Sequence, residues 1–268
     1  MAGPGRWTLP DLDSALAWTR ERKGQGIRCT LATLGEYARS PADARAWTVE
    51  NIGCLRGIIS LSADASLSVK LSGIGGLFDQ QAARTNLLQI AREARTGNVP
   101  IEIDMEGKAM VELTLQAASE CRKETPLVTV ALQSYLNRTG DDIRRMVSEG
   151  VNVRLVKGAY AGDTSETSEI RRMTEADARL LGSLRAPFSL GTHDPGLIAW
   201  AEGEFGEARE LLEFGFLRGL SDETKARLAR DGWKVSEYVP FGPGGEAYVM
   251  RRERYLRELA GSGRAPAP

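Results

Sequence analysis

Short apolar runs rich in β-branched residues alternate along the chain with longer stretches whose apolar positions recur every three to four residues. The runs fall at residues 27–35 (IRCTLATLG), 67–74 (LSVKLSGI), 99–106 (VPIEIDME), 126–135 (PLVTVALQSY), 151–160 (VNVRLVKGAY), 187–194 (PFSLGTHD), 210–219 (ELLEFGFLRG) and 233–242 (WKVSEYVPFG). Each predicts a strand. Between them, segments such as 80–95, 111–122, 170–184 and 221–231 carry Ala, Leu, Glu and Arg in helical spacing. Strict strand–helix alternation predicts an α/β protein with a parallel sheet and right-handed crossovers. Eight units in about 250 residues are what a (β/α)8 TIM-type barrel requires. The competing architecture, an open doubly wound sheet, runs its first strand into a glycine-rich phosphate turn. Here that strand ends in Thr33-Leu34-Gly35-Glu36, and the barrel is the better reading. Residues 1–26 read as a helical lead-in, with an amphipathic helix over 8–26. The segment GSGRAPAP at 261–268 has nothing to bury and predicts a disordered tail. No Pro-, Gly- or Ser-rich linker interrupts the chain, so 1–268 reads as a single domain.

Composition narrows the function classes. Lys and Arg total 35 against 36 Asp and Glu, a formal net charge of −1. That balance lacks the positive excess of a nucleic-acid binder and gives no pull toward an anionic membrane surface. No apolar run approaches the roughly 20 residues of a membrane span. The first 18 residues lack the basic start and continuous apolar stretch of a secretory signal, and the expected address is the cytoplasm. Cys29, Cys54 and Cys121 are odd in number, far apart and outside metal-ligand spacing. They predict buried reduced thiols and no metal site.

Barrels of this kind place their chemistry at the C-terminal ends of the strands. The polar residues there are Lys70, Asp104, Glu106, Gln133, Tyr135, Arg154, Lys157, Tyr160, Thr192, His193, Asp194, Arg218 and Tyr238. Seven of the eight strands contribute, which favours an enzyme over a scaffold. Lys70, Arg154 and Lys157 lie inside otherwise apolar runs, where an unpaired cation is costly. Each must face a carboxylate in the lumen or meet a ligand, and a Lys70–Asp104 pair tying neighbouring strands satisfies the first option. His193 is the sole histidine; its place at a strand end suits contact with a ligand, and nothing marks it as a general base. In the last helix, EAYVMRRERYLREL at 246–259, Tyr248, Arg251, Arg252 and Tyr255 share one face, flanked by Val249, Leu256 and Ala260. Paired guanidinium forks make a carboxylate clamp; the alternative is a solvated helix whose arginines pair with Glu246, Glu253 and Glu258.

Together these residues resemble the proline dehydrogenase family, FAD-dependent enzymes with a distorted (β/α)8 barrel. The segments that carry the resemblance are TLATLGE (30–36), SVKLS (68–72), IDME (103–106), RLVKGAY (154–160), THD (192–194), EFGFLRG (213–219), and YVPFG with YVMRR (238–242 and 248–252). It runs from about residue 11 to residue 260, with RLVKGAY and the arginine-pair helix its most specific parts. The resemblance implies oxidation of L-proline to Δ1-pyrroline-5-carboxylate, the first step of proline catabolism to glutamate. It implies that Arg251 and Arg252, on a last helix over the strand C-terminal face, bind the substrate carboxylate, while Tyr238, Tyr248 and Leu217 close over the ring. Lys70 and Asp104 become a polar pair beside the substrate, and Arg154 the cation near the reactive flavin nitrogen; with Tyr238 they form the catalytic set. Asp104, Gln133, Arg154, Val156, Lys157, Gly158, Ala159, Tyr160, Thr192 and His193 become the FAD contacts. Tyr238 favours proline over 4-hydroxyproline, and the implied electron acceptor is a quinone, reached by at most peripheral contact with the membrane. With no room for further catalytic domains, the chain reads as a compact monofunctional enzyme.

The sequence departs from the family pattern in several places. Ala161 stands where the family has Trp, Gly215 where it has Gln, Asp194 where it has Asn, and Tyr255 where it has a bracing Glu; the loop from 242 to 246 is also short. Two other readings compete: a Schiff-base lyase or aldolase using Lys157, and a non-catalytic flavin-binding barrel.

Overall fold

The computed structural model describes residues 4–243 and 245–261, with side chains described for 5–243, 245, 248–254 and 257. Eight parallel strands hydrogen-bond in chain order and close on themselves. They are β1 (Ile27–Thr33), β2 (Ala65–Val69), β3 (Ile101–Ile103), β4 (Val128–Gln133), β5 (Asn152–Val156), β6 (Phe188–Gly191), β7 (Leu212–Leu217) and β8 (Lys234–Phe241). Closure comes from β8 pairing with β1, where Thr30 lies opposite Tyr238. The helices are α1 (Leu12–Gly24), α2 (Pro41–Ser60), α3 (Gln80–Thr96), α4 (Val111–Glu124), α5 (Thr139–Ser148), α6 (Thr167–Ser183), α7 (Pro195–Glu204), α8 (Asp222–Arg230) and α9 (Glu246–Gly261).

Each strand forms where expected, but stops one to five residues early at its C-terminal end. The residues beyond leave the ladder for the βα loops: Leu71–Ile74, for example, forms a 3-10 turn instead of extending β2. Helix starts follow local chemistry. The carboxylates of Asp11, Asp79 and Asp194 and the Ser40 hydroxyl each accept a first-turn N–H, and Pro41 and Pro195 occupy the position where no N–H is needed. Asp194 thus serves as a cap that Asn would fill equally well, which explains one departure from the family pattern.

The lead-in is not one helix. A 3-10 turn at Pro4–Arg6 precedes α1, and between them Leu9 is extended and bridges Phe241. Gly261 still belongs to α9; the rest of the expected tail, 262–268, lies outside the described residues, as do 1–3.

The side-chain alternation along the strands is the fold's main departure from a common barrel. Bulky branched residues usually fill a barrel lumen. Here they point outward: Leu31, Leu67, Ile101, Ile103, Val130, Leu155, Leu190, Phe214 and Val239 are fully buried in the core shared with the helices. The inward set is polar and includes Arg28, Thr30, Ser66, Lys70, Glu102, Asp104, Arg154, Glu213, Ser236 and Tyr238, joined by side-chain contacts between neighbouring strands and across the lumen between non-neighbouring ones.

Candidate active site

The lumen charges form a ladder of alternating sign. At the bottom, Arg28 lies 3.3 Å from Glu213 and 3.7 Å from Glu102. Glu102 accepts a bond of 2.6 Å from Arg154, whose other guanidinium nitrogen bonds Asp104. Asp104 pairs with Lys70 at 2.9 Å, and Lys70 approaches Glu36 at 3.8 Å. Glu36 accepts both its bonds from Arg251 of α9, each 2.6 Å. Four carboxylates therefore answer four cations between the floor and the mouth.

Tyr238 is the knot near the top. Its hydroxyl donates to Asp104 at 2.7 Å and accepts from Lys70 at 2.8 Å. The Lys70 and Arg154 cations lie 5.4 and 5.6 Å from its ring centroid. The surroundings fix the charge states. Burial alone would raise the Asp104 pKa, but Lys70 and Arg154 hold the carboxyl well below the ordinary range. Burial opposes the charge on Lys70, yet Asp104, Tyr238 and Glu36 raise its pKa well above the usual value. Burial and the Asp104 carboxylate push the Tyr238 phenol up. At neutral pH none of the three exchanges a proton readily.

α9 lies across the mouth. Arg251 reaches over to Glu36, in place of the solvated helix that pairing with its own glutamates would have made. Tyr248 is buried with Trp7, Leu34 and Leu220. Arg252 stacks over the Tyr248 ring at 4.9 Å, and its Nε is buried without a hydrogen-bond partner. The Tyr255 side chain and the loop residue Gly244 lie outside the described structure.

The expected cofactor set gathers around the ends of β4, β5 and β6. Gly158 adopts φ +122°, and a Cβ there would stand 1.9 Å from the Tyr135 ring. The Tyr135 hydroxyl donates to Gln133 at 2.7 Å and accepts the Tyr160 N–H at 2.8 Å, and Gln133 in turn donates to the Glu106 carbonyl. Gly162 packs against the other part of the same ring, where the small Ala161-Gly162 pair replaces the family's bulk. Val156 ends β5 beside Gly191, Thr192 accepts the Asp194 N–H, and Lys157 and Ala159 stand exposed on the rim. His193 is committed to the barrel: Nε2 accepts the Leu217 N–H at 3.1 Å, so Nδ1 carries the proton toward Ser221, 3.0 Å away. Burial, with Lys225 and Arg252, pushes its pKa down to about 3.

Several buried polar atoms of the lumen and mouth have no partner: Ser68 Oγ, Ser189 Oγ, Glu106 Oε1, Tyr248 Oη and Arg252 Nε. Each such atom costs roughly 1–3 kcal/mol, so their concentration where the strands end indicates a ligand site. The ladder residues absent from the sequence reading's candidates are Arg28, Glu36, Glu102 and Glu213. Glu102 shares the inward face of β3 with Asp104, two residues on, which is the signal that would have found it.

Fold and site together define a (β/α)8 barrel whose candidate ligand site sits at the C-terminal mouth, roofed by the last helix. The sequence profile described as proline dehydrogenase matches residues 15–178. Proline dehydrogenase 1 of Bacillus subtilis strain 168 is 31% identical over 258 residues, covering 93% of this chain and 85% of its own length. The proline dehydrogenase of Deinococcus radiodurans is 27% identical over 253 residues, covering 90% and 82%. The chain belongs to the proline dehydrogenase family. The same fold occurs in proline utilization A (PutA) from Bdellovibrio bacteriovorus inactivated by N-propargylglycine, with a TM-score of 0.85 at 19% identity. The match covers 92% of this chain, which spans 32% of that longer one.

Proposed function

We propose that this protein is a flavoenzyme that oxidises L-proline to Δ1-pyrroline-5-carboxylate, with FAD as cofactor. Membership of the proline dehydrogenase family supports the reaction. The observation that carries the site assignment is Arg252. Every cation of the lumen ladder has its carboxylate, whereas Arg252 forms no ion pair among the described residues and keeps a buried, unanswered Nε. A substrate carboxylate supplies the missing partner.

The residues present fit a flavin. The Gly158 turn brings bare backbone against Tyr135 at the end of β5, the Arg154 cation stands within the lumen below Asp104, and unpartnered polar atoms line the lumen. Val156 to Tyr160, Gln133, Thr192 and His193 would hold FAD, which when bound supplies the two-electron acceptor for hydride from the ring carbon beside nitrogen. Arg252, with Arg251 beside it, binds the proline carboxylate and fixes the ring. Tyr248, Tyr238 and Leu217 close over it and exclude water. Lys70, Asp104 and Tyr238 act by position and charge. Their locked protonation states leave the substrate nitrogen to lose its proton elsewhere.

The resemblance implies a quinone acceptor and a cytoplasmic protein that touches the membrane only peripherally; no helix among the described residues is long and apolar enough to cross a bilayer. The Schiff-base alternative draws no support from the geometry, since Lys157 is exposed and outside the desolvated setting that activates an amine. The test is product analysis. FAD-loaded protein, proline and an electron-accepting dye should give a compound two mass units lighter than proline, or its ring-opened hydrate. Proline recovered unchanged, with the dye still oxidised, would refute the assignment.

A further inference from the structure

We propose that Glu102 is a positioning residue for this reaction: it anchors Arg154 from beneath and, answered by Arg28, sets how much positive charge reaches the mouth of the barrel. This role rests on the proposed function. The geometry is specific. Glu102 and Asp104 project from the same face of β3, and Arg154 comes from β5, two strands away. Between them, on β4, the residue paired with Arg154 is Ala131, whose methyl group leaves the guanidinium room to cross. One nitrogen of Arg154 bonds Glu102 Oε2 at 2.6 Å and another bonds Asp104, so two carboxylates fix the fork. Glu102 Oε1 is itself held, by Thr30 at 2.7 Å and Ser66 at 2.5 Å, with Arg28 at 3.7 Å.

A purely structural explanation fits poorly. Glu102 is 5% exposed, and a buried ionic cluster often stabilises a fold no better than apolar side chains of the same volume would. What Glu102 adds is control of the group above it. Asp104 holds Lys70 and Tyr238, so the lie of Arg154 governs the polar floor on which the substrate rests. The substrate carboxylate is bound at the other end, by α9. Loss of Glu102 should therefore change the chemical step more than substrate binding.

The experiment compares Glu102→Gln and Arg28→Met in FAD-loaded protein. Glu102→Gln should lower kcat with proline at least tenfold and change KM by less than about threefold, since about 1.4 kcal/mol of barrier is a factor of ten. The second readout needs no proline: the flavin midpoint potential, measured by reductive titration with dithionite. Loss of a buried negative charge favours the charge gained on reduction, so Glu102→Gln should shift the potential upward and Arg28→Met downward. A merely structural role would lower thermal stability in both variants without opposite shifts. Should Glu102→Gln fail to fold, Glu102→Asp, which keeps the charge but shortens the reach, and Arg28→Met carry the test. In that case a kcat loss without a potential shift in Glu102→Asp, and a downward shift in Arg28→Met, are expected. Wild-type kcat together with unmoved or same-sign potentials would overturn the role of Glu102. Wild-type protein that proline cannot reduce would instead refute the proposed function.

Discussion

Two clusters of buried charge lie back to back on β8. On the inner side, Tyr238 joins Lys70, Asp104 and Arg154. On the outer side, the fully buried Glu237 sits under α1 and α8, bonded by Trp18 at 2.6 Å, by Arg22 at 3.0 and 3.1 Å, and by Lys225. Lys225 also meets Asp222 at 2.8 Å, and Asp222 meets Arg22 at 2.6 Å. By charge and burial alone the two clusters look alike. They differ in completeness. Both oxygens of Glu237 are saturated from within the chain, whereas the inner cluster ends at a mouth where Arg252, Tyr248 and Glu106 have unanswered atoms. The outer cluster ties the N-terminal helix to the barrel; the inner one opens on the candidate ligand site. Arg218, stacked on Trp18 beside the outer cluster, also keeps a buried Nε without a partner, so an unmet atom points to a ligand only where several gather at the open end of the barrel.

The largest expected effect tests the outer cluster. Glu237→Ala leaves the buried Arg22 and Lys225 with only the half-exposed Asp222 as carboxylate partner and should cost about 3–5 kcal/mol of stability, read by urea denaturation, while the folded protein keeps its kcat. A loss below about 1 kcal/mol, the range of surface pairs, would break the contrast. On the inner side, Arg252→Met should weaken apparent proline affinity by two orders of magnitude or more, about 3 kcal/mol. Its thermal midpoint should not fall, because the change removes a half-buried cation that has no carboxylate partner among the described residues. Steady-state kinetics and a melting curve on the same sample decide this.

The members of the inner cluster were mostly legible in the sequence, but neither their pairings nor the outer cluster was. Strand positions followed from apolar runs, and the helical spacing of Tyr248, Arg251 and Arg252 put them on one face. The Lys70–Asp104 pair was foreseeable because sequential strands are neighbours. Glu102 meets Arg154 two strands away, and Glu36 meets Arg251 across the mouth. Both depend on the stagger of the closed barrel, which local patterning does not encode. The polar lumen was hidden for a related reason: alternation shows that a strand has two faces, and only closure decides which one turns inward.

The neutral histidine gives a smaller, pH-dependent effect. Its pKa is about 3 in the fold against 6.5 for the free group, so below pH 6.5 the unfolded chain takes up the proton and the native state does not. Its stabilising contribution is complete above that pH and is lost on acidification by up to about 1.4 kcal/mol per pH unit. Between pH 7.5 and 5.0 this group should remove about 2 kcal/mol of stability. His193→Gln should flatten that dependence in denaturant titrations at the two pH values.

The smallest effect belongs to Asp177 on α6, where burial pushes the carboxyl up to about 6 and Oδ2 has no partner. A raised carboxyl costs stability fully above pH 6 and not at all below about 3.8. Asp177→Asn should therefore stabilise the protein at pH 8, by about 1 kcal/mol once solvent screening of this half-buried carboxyl discounts the roughly 3 kcal/mol of the full shift, and do nothing at pH 3.5. An equal gain at both pH values would point to packing instead of charge.

The most direct test of the central claim is the visible absorption spectrum of the FAD-loaded protein before and after anaerobic addition of L-proline. The account predicts flavin bands that bleach with wild-type protein and persist with Arg252→Met at the same proline concentration. Bands that persist in the wild type, or protein that cannot be loaded with FAD at all, would contradict it.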